Sequence, residues 1–373
     1  MNFDDIRPYT DSEVSAAMKR IAASPELHIV ASYVFPEKTI DEVRQLLSSY
    51  HTTKEFQMGI MYHANEQIIR NTTTGFTCDG VNQLDKDKAY LFLSNHRDIM
   101  LDASLLQNVL IDHGMESTQI TFGANLMTNP LVVDIGKSNK MFKVERPGGS
   151  IKDFYKSSLH LSEYMRHVIV DRKESVWIAQ RNGRTKNGDD KTDQGIIKMF
   201  CMSKSGDKVA ALSELNIVPV SVSYEWESCD ILKAVELYES INAKYVKKPG
   251  EDLNSIITGI TQPKGRVHFQ VCPVLKESEF AALSHCPNNE YHKQVAQLID
   301  RRIISAYRLW PNNYIAYDML TGTNTFRMNY TGNDKQMFAE HMKKLERFNC
   351  NRDVLRDIFI KIYANPVRNK LQL

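Results

Sequence analysis

Between Gly75 and about Val274 the chain alternates short β-rich runs with helical stretches, and this rhythm restricts the fold more than any other feature of the sequence. The β-rich runs fall at 90–93, 119–122, 141–144, 176–179, 217–224 and 266–271. Between them, 102–110, 151–169 and 194–203 carry apolar residues at helical spacing. Strands separated by helices pair through crossovers, so the pattern predicts an α/β domain around a partly parallel sheet flanked by helices. Domains of this class place their binding groups in loops beyond strand ends. The polar stretch 181–193 (RNGRTKNGDDKTD), directly after a predicted strand, is such a loop.

Both flanks predict helix, which divides the chain into an N-terminal helical region (1–75), the α/β domain (76–275) and a C-terminal helical region (276–373). Thr39 with Glu42 and Thr52 with Glu55 are capping-box pairs, each followed by apolar residues at helical spacing. Two readings of that N-terminal pair stand open: amphipathic helices lying on a membrane, or helices packed on the main domain. In the C-terminal region 291–309 and 334–348 are the clearest helices, with Pro311-Asn-Asn predicted as a break between them.

A formal net charge of +2 is too mild to imply nucleic acid as a partner. The six cysteines lie far apart, with no C-x-x-C and no zinc-ligand spacing, so they read as reduced, mostly buried residues, and no metal is expected. Residues 1–10 lack the basic-then-apolar pattern of a signal peptide. No run approaches the roughly 18 apolar residues of a spanning helix, so any membrane contact is expected to be peripheral.

The sharpest local feature is Ser94-Asn-His-Arg-Asp-Ile-Met-Leu-Asp102, which follows one predicted strand and opens a helix. A carboxylate that accepts one ring N–H of His96 fixes the tautomer and stabilises the imidazolium. The other ring nitrogen can then take a proton from a hydroxyl. A structural, hydrogen-bonded histidine is the plainer alternative. His96-Arg97-Asp98 also matches the opening of the protein-kinase catalytic loop, but Ala103 stands where that loop needs Asn. The chain has no G-x-G-x-x-G, V-A-I-K or D-F-G, which excludes a kinase.

Four blocks in order resemble the glycerolipid acyltransferase superfamily, which includes glycerol-3-phosphate and 1-acylglycerol-3-phosphate acyltransferases. Asn95-His96-Arg97-Asp98-Ile99-Met100-Leu101-Asp102 resembles its His-x4-Asp block, with one extra residue before the second acid. Phe142-Lys-Val-Glu-Arg146 is similar to its Phe-to-Arg strand. Asn182-Gly-Arg184-Thr-Lys186 is similar to its Glu-Gly-x-Arg block, with Asn182 in place of Glu. Ile217-Val-Pro219-Val-Ser-Val-Ser-Tyr-Glu225 is similar to its apolar strand with a central Pro. Gly123-Ala-Asn-Leu126 and Tyr224-Glu225 tilt the likeness toward the glycerol-3-phosphate branch.

The resemblance implies a peripheral enzyme on the cytoplasmic face of a membrane. It would move a fatty acyl group from acyl-CoA or acyl carrier protein to glycerol 3-phosphate or its 1-acyl derivative in phospholipid biosynthesis, with no further cofactor. It implies His96 as general base, with Asp102 or Asp98 orienting it and Asp102 favoured. Arg146 and Arg184 would hold the acceptor phosphate, with Asn182 and Gly183 shaping the loop. Arg97, Lys143, Arg181 and Lys186 would add positive field, and Pro219 would wall the acyl groove. Asn182 leaves another amphiphilic acceptor open, such as an aminoacyl lipid; a degenerate lipid-binding protein of the same fold is the non-catalytic alternative.

Overall fold

The computed structural model describes residues 2–127, 129–145 and 150–373, the side chains of Ile29 and Val30 apart. Among these residues seven strands form one sheet: β1 (Thr73–Asp79), β2 (Leu91–Ser94), β3 (Gln119–Gly123), β4 (Met141–Val144), β5 (Val176–Ala179), β6 (Ile217–Tyr224) and β7 (Gly265–Val271). Their order is β1-β7-β6-β2-β5-β3-β4. From β6 to β4 every neighbouring pair is parallel, whereas β7 runs antiparallel to β6 and parallel to β1. The fold is thus a partly parallel α/β sheet flanked by helices, with further helices on both sides of it in sequence.

The central strands are short, apolar runs because both of their faces are covered. Leu91, Leu93, Val176, Ile178 and Ile217 point into one core. They meet Tyr164 and Met165 of helix Ile151–Arg166, Ile197 and Phe200 of helix Gln194–Met202, and Val295 and Ile299 of helix Asn288–Ala306. The alternate residues Phe92, Trp177, Val218, Val220 and Val222 point the other way. There they pack on Leu105, Leu106 and Val109 of helix Leu101–Asp112. The two-residue period of the strand thus loads both cores from the same four- to eight-residue segments.

Strand β1 escapes a pattern-based reading. Its TTGFTCD is half-exposed at the sheet edge, so it lacks the apolar alternation that marks a covered strand. Pro311 is a second difference: it opens helix Pro311–Thr321 from the first-turn position, where its missing N–H is no loss. This helix, with Gly332–Met342 and Arg352–Leu371, forms a separate core against Ile231 and Ala234 of helix Asp230–Glu239.

Both N-terminal capping boxes form. The apolar faces behind them are spent inside the protein, since Val43, Leu47, Phe56, Ile60 and Ile68 are all buried. That removes the membrane-lying reading of this helix pair. Among the described residues no helix is long and apolar enough to cross a membrane.

Candidate active site

Beyond Ser94 at the end of β2, the chain leaves the sheet in a six-residue turn before helix Leu101–Asp112 begins. Asp102, fully buried in that helix's first turn, organises the whole turn. Its Oδ2 accepts the Arg97 N–H (2.6 Å), the Asp98 N–H (2.9 Å) and His96 Nδ1–H (2.9 Å). Its Oδ1 accepts the Tyr224 hydroxyl from β6 at 2.8 Å. Burial, followed by the negative fields of Asp102 and Asp98, holds the Tyr224 hydroxyl well above its usual range, so it remains a donor.

Asp98 does different work. Its Oδ1 accepts the Met100 and Leu101 N–H groups (2.8 and 2.9 Å), and its Oδ2 accepts the Ser228 hydroxyl. This cap absorbs the extra residue of the motif, which is how Asp102 still reaches His96 across one more position. Of the two acids, the structure sets only Asp102 against His96. The ring sits edge-on to Trp177 (5.9 Å between centroids) and is 13% exposed. Its Nε2 has no hydrogen-bond partner among the described residues, and His96 lines a cleft of about 880 Å³.

The cleft lies over the carboxyl ends of β2 to β5, where α/β sheets bind ligands. One wall is apolar and runs between two helices: Phe154, Tyr155 and Leu161 from Ile151–Arg166, with Ile196, Met199 and Met202 from Gln194–Met202. The other is the 181–193 loop, which is tied to the His96 turn by backbone bonds. The Thr185 N–H donates to the His96 carbonyl (2.7 Å) and the Gln180 N–H to the Ser94 carbonyl (2.8 Å). Gly188 in this loop has φ +76°, and a Cβ there would collide with the Ile362 carbonyl of helix Arg352–Leu371.

Arg181, Asn182, Gly183, Arg184 and Lys186 all line the cleft. Lys186 is paired with Glu236. Arg184 has no ion-pair partner among the described residues, and its Nη1 is buried without a hydrogen-bond acceptor. A guanidinium in that state keeps a donor free to fork onto an acceptor that carries negative charge. Gly183, at φ +74° with open space around it, lets the backbone turn beside the cleft.

Three expected contributors lie elsewhere. Arg97 is sealed inside the protein: Asp190 (2.5 Å) and Glu227 (3.3 Å) hold its guanidinium, and the Tyr307 ring covers it at 5.0 Å. Burial opposes its charge, but Asp190, Tyr307 and Glu227 outweigh that and hold it protonated. Lys233 completes the cluster, donating to Glu227 and to the Arg97 carbonyl (both 2.6 Å). Arg97 therefore props the turn from behind and cannot meet a substrate. Lys143 pairs with Glu145 (2.8 Å) and does not line the cleft. Pro219 is buried within β6, its carbonyl accepting the Cys272 N–H at 2.9 Å, and is no part of the cleft wall. Arg146 falls outside the described residues.

The site thus brings together a histidine hydrogen-bonded to a buried carboxylate, a half-apolar cleft, and an arginine without an ion-pair partner among the described residues. Residues 75–223 match the acyltransferase family model. Among solved structures, the 1-acyl-sn-glycerophosphate (LPA) acyltransferase PlsC from Thermotoga maritima is similar at 13% identity and a TM-score of 0.36. That likeness covers 77% of this chain and 94% of the other. No curated protein matches in sequence.

Proposed function

We propose that this protein is an acyltransferase that carries a fatty acyl group from a thioester, acyl-CoA or an acylated carrier protein, to a hydroxyl of glycerol 3-phosphate or 1-acylglycerol 3-phosphate in phospholipid biosynthesis. The reaction would take place at the cytoplasmic face of a membrane. His96 Nε2 takes the hydroxyl proton as the oxygen attacks the thioester carbonyl. Nδ1–H stays on Asp102, which stabilises the imidazolium so formed. When the tetrahedral adduct collapses, the C–S bond breaks and the departing sulfur takes the proton from Nε2. An ester and a free thiol result, and the histidine returns neutral.

The observation that carries this reading is the His96–Asp102 pair at 2.9 Å, with the unpaired Arg184 and an apolar helix-lined wall in one cleft. The acyl chain would lie along that wall, and the acceptor phosphate against Arg184, with Arg181 adding positive field. Asn182 is exposed at the cleft and carries no charge, so an aminoacyl lipid or another amphiphile is the second acceptor class to try.

Thiol release tests the reading. Protein, acyl-CoA and each candidate acceptor are mixed and free CoA is followed. His96→Ala should lower turnover by at least about 10²-fold while the protein stays folded. Activity within a few-fold of the parent would overturn the mechanism.

A further inference from the structure

Two bands of exposed apolar side chains border the opening of the cleft. The first is the start of helix Ile151–Arg166, where Ile151 is 90% exposed, Tyr155 57% and Phe154 42%. All three line the cleft, and the helix belongs to one face of the sheet. Lys247 and Asp252 line the same cleft from the segment entering helix Glu251–Thr261, which packs through Ile260 on the opposite face. Beside them Val246 is 77% exposed and Leu253 58%, with Ile257 a turn further along. A lip from each face of the sheet therefore flanks one opening.

Exposed lysines are interleaved with these residues: Lys152 and Lys156 on the first lip, Lys244, Lys247 and Lys248 on the second. Asp252 is ion-paired with Lys247, and Asp153 and Glu251 accept the Ser150 and Tyr245 hydroxyls, which leaves Lys152, Lys156, Lys244 and Lys248 without an ion-pair partner among the described residues. Aliphatic and aromatic side chains ringed by lysines suit an anionic lipid surface, where the apolar groups enter the acyl boundary and the ammonium groups stay among headgroups. The N-terminal helices, which the sequence alone offers for this role, bury Val43, Leu47, Phe56, Ile60 and Ile68 inside the protein.

We propose that the two lips dock on an anionic bilayer, so that the cleft opens at headgroup level. The proposal rests on the acyl-transfer reading, because it brings the mouth of the groove to where acyl chains already lie.

The test is flotation of the full chain with phosphatidylcholine vesicles, with and without phosphatidylglycerol. The parent should bind the anionic vesicles preferentially, and salt should weaken binding. Ile151→Asp and Val246→Asp should each cut the vesicle-bound fraction, expressed as a partition coefficient, by about tenfold or more. Met328→Asp, at the 96% exposed Met328 in the short turn Arg327–Asn329, should leave it unchanged. Thermal unfolding at the parental temperature establishes that each variant is folded. Undiminished binding by the doubly substituted lip variant would overturn the surface, as would equal loss from Met328→Asp or no binding by the parent. Thiol release from a water-soluble, short-chain acyl-CoA by the parent reports separately on whether acyl transfer itself stands.

Discussion

Replacing Asp102 and Asp98 one at a time by asparagine should produce opposite failures. In Asp102→Asn, an amide oxygen in the Oδ2 position still accepts the Arg97 and Asp98 N–H groups, and the new NH2 faces the Tyr224 oxygen. The turn keeps its shape, but the imidazolium loses a fully buried anion at 2.9 Å. Losing the charged member of a buried pair costs about 3–5 kcal/mol. Since that charge is opposed only when His96 has taken the proton, the loss falls on the transition state, about 10²–10⁴-fold in turnover. Asp98→Asn instead weakens a helix cap and the tie to Ser228, worth about 1–2 kcal/mol of stability. Its melting temperature should fall by a few degrees while turnover stays within about tenfold. Steady-state thiol release and calorimetry on the two proteins separate the cases. If Asp98→Asn lost the activity and Asp102→Asn merely melted earlier, the assignment of Asp102 as the orienting acid would be wrong.

Arg184→Ala should raise the KM for a phosphorylated acceptor about ten- to a hundredfold and leave the donor's KM nearly unmoved, with Arg184→Lys restoring only part; equal shifts in both constants would contradict it. Burial, opposed by the Thr192 hydrogen bonds and aided by Asp190 and Asp189, pushes the Asp300 carboxyl up to about 6. The folded state then holds a proton that the unfolded chain releases near pH 4, so this group's contribution to stability falls as pH rises from about 4 to 6 and stays low above that. Asp300→Asn, whose oxygen can still accept from Thr192, should therefore gain melting temperature over the parent at pH 7.5 and lose that advantage near pH 4, as thermal melts at the two pH values would show.

The central strands were legible because burial on both faces writes itself as a continuous apolar run; five of the six expected strands lie within a residue of where they form, and β6 spans 217–224 as expected. β1 was not legible, because an edge strand can be built from threonine, glycine and cysteine. In the site, His96 and Asp102 could be paired on paper, because they lie close in sequence. What a list of cations cannot reveal is which ones are already matched. Arg97 and Arg184 look alike in sequence, yet one is locked between Asp190 and Glu227, 93 and 130 positions away, and the other is left open. Tyr224 was visible as a motif residue, but its role depends on β6 lying beside β2, a contact 122 residues apart that no local pattern encodes.

The Arg97 cluster also bears on how this protein could be cut down or grafted. The segment that matches the family ends at residue 223, one position short of the end of β6. The counter-charge at Glu227, the ammonium of Lys233 and the ring of Tyr307 all come from beyond it, and the Tyr363 hydroxyl holds the Glu227 N–H. A fragment trimmed to the matched residues would keep the first three motifs, lose Tyr224 and Glu225 from the fourth, and leave the Arg97 guanidinium with Asp190 alone under the histidine's turn. For anyone building chimaeras from this scaffold, the smallest exchangeable unit runs through helix Arg352–Leu371, and swaps of acceptor specificity belong in the 181–193 loop, whose ends are fixed by backbone bonds while Asn182 and Gly183 face open space.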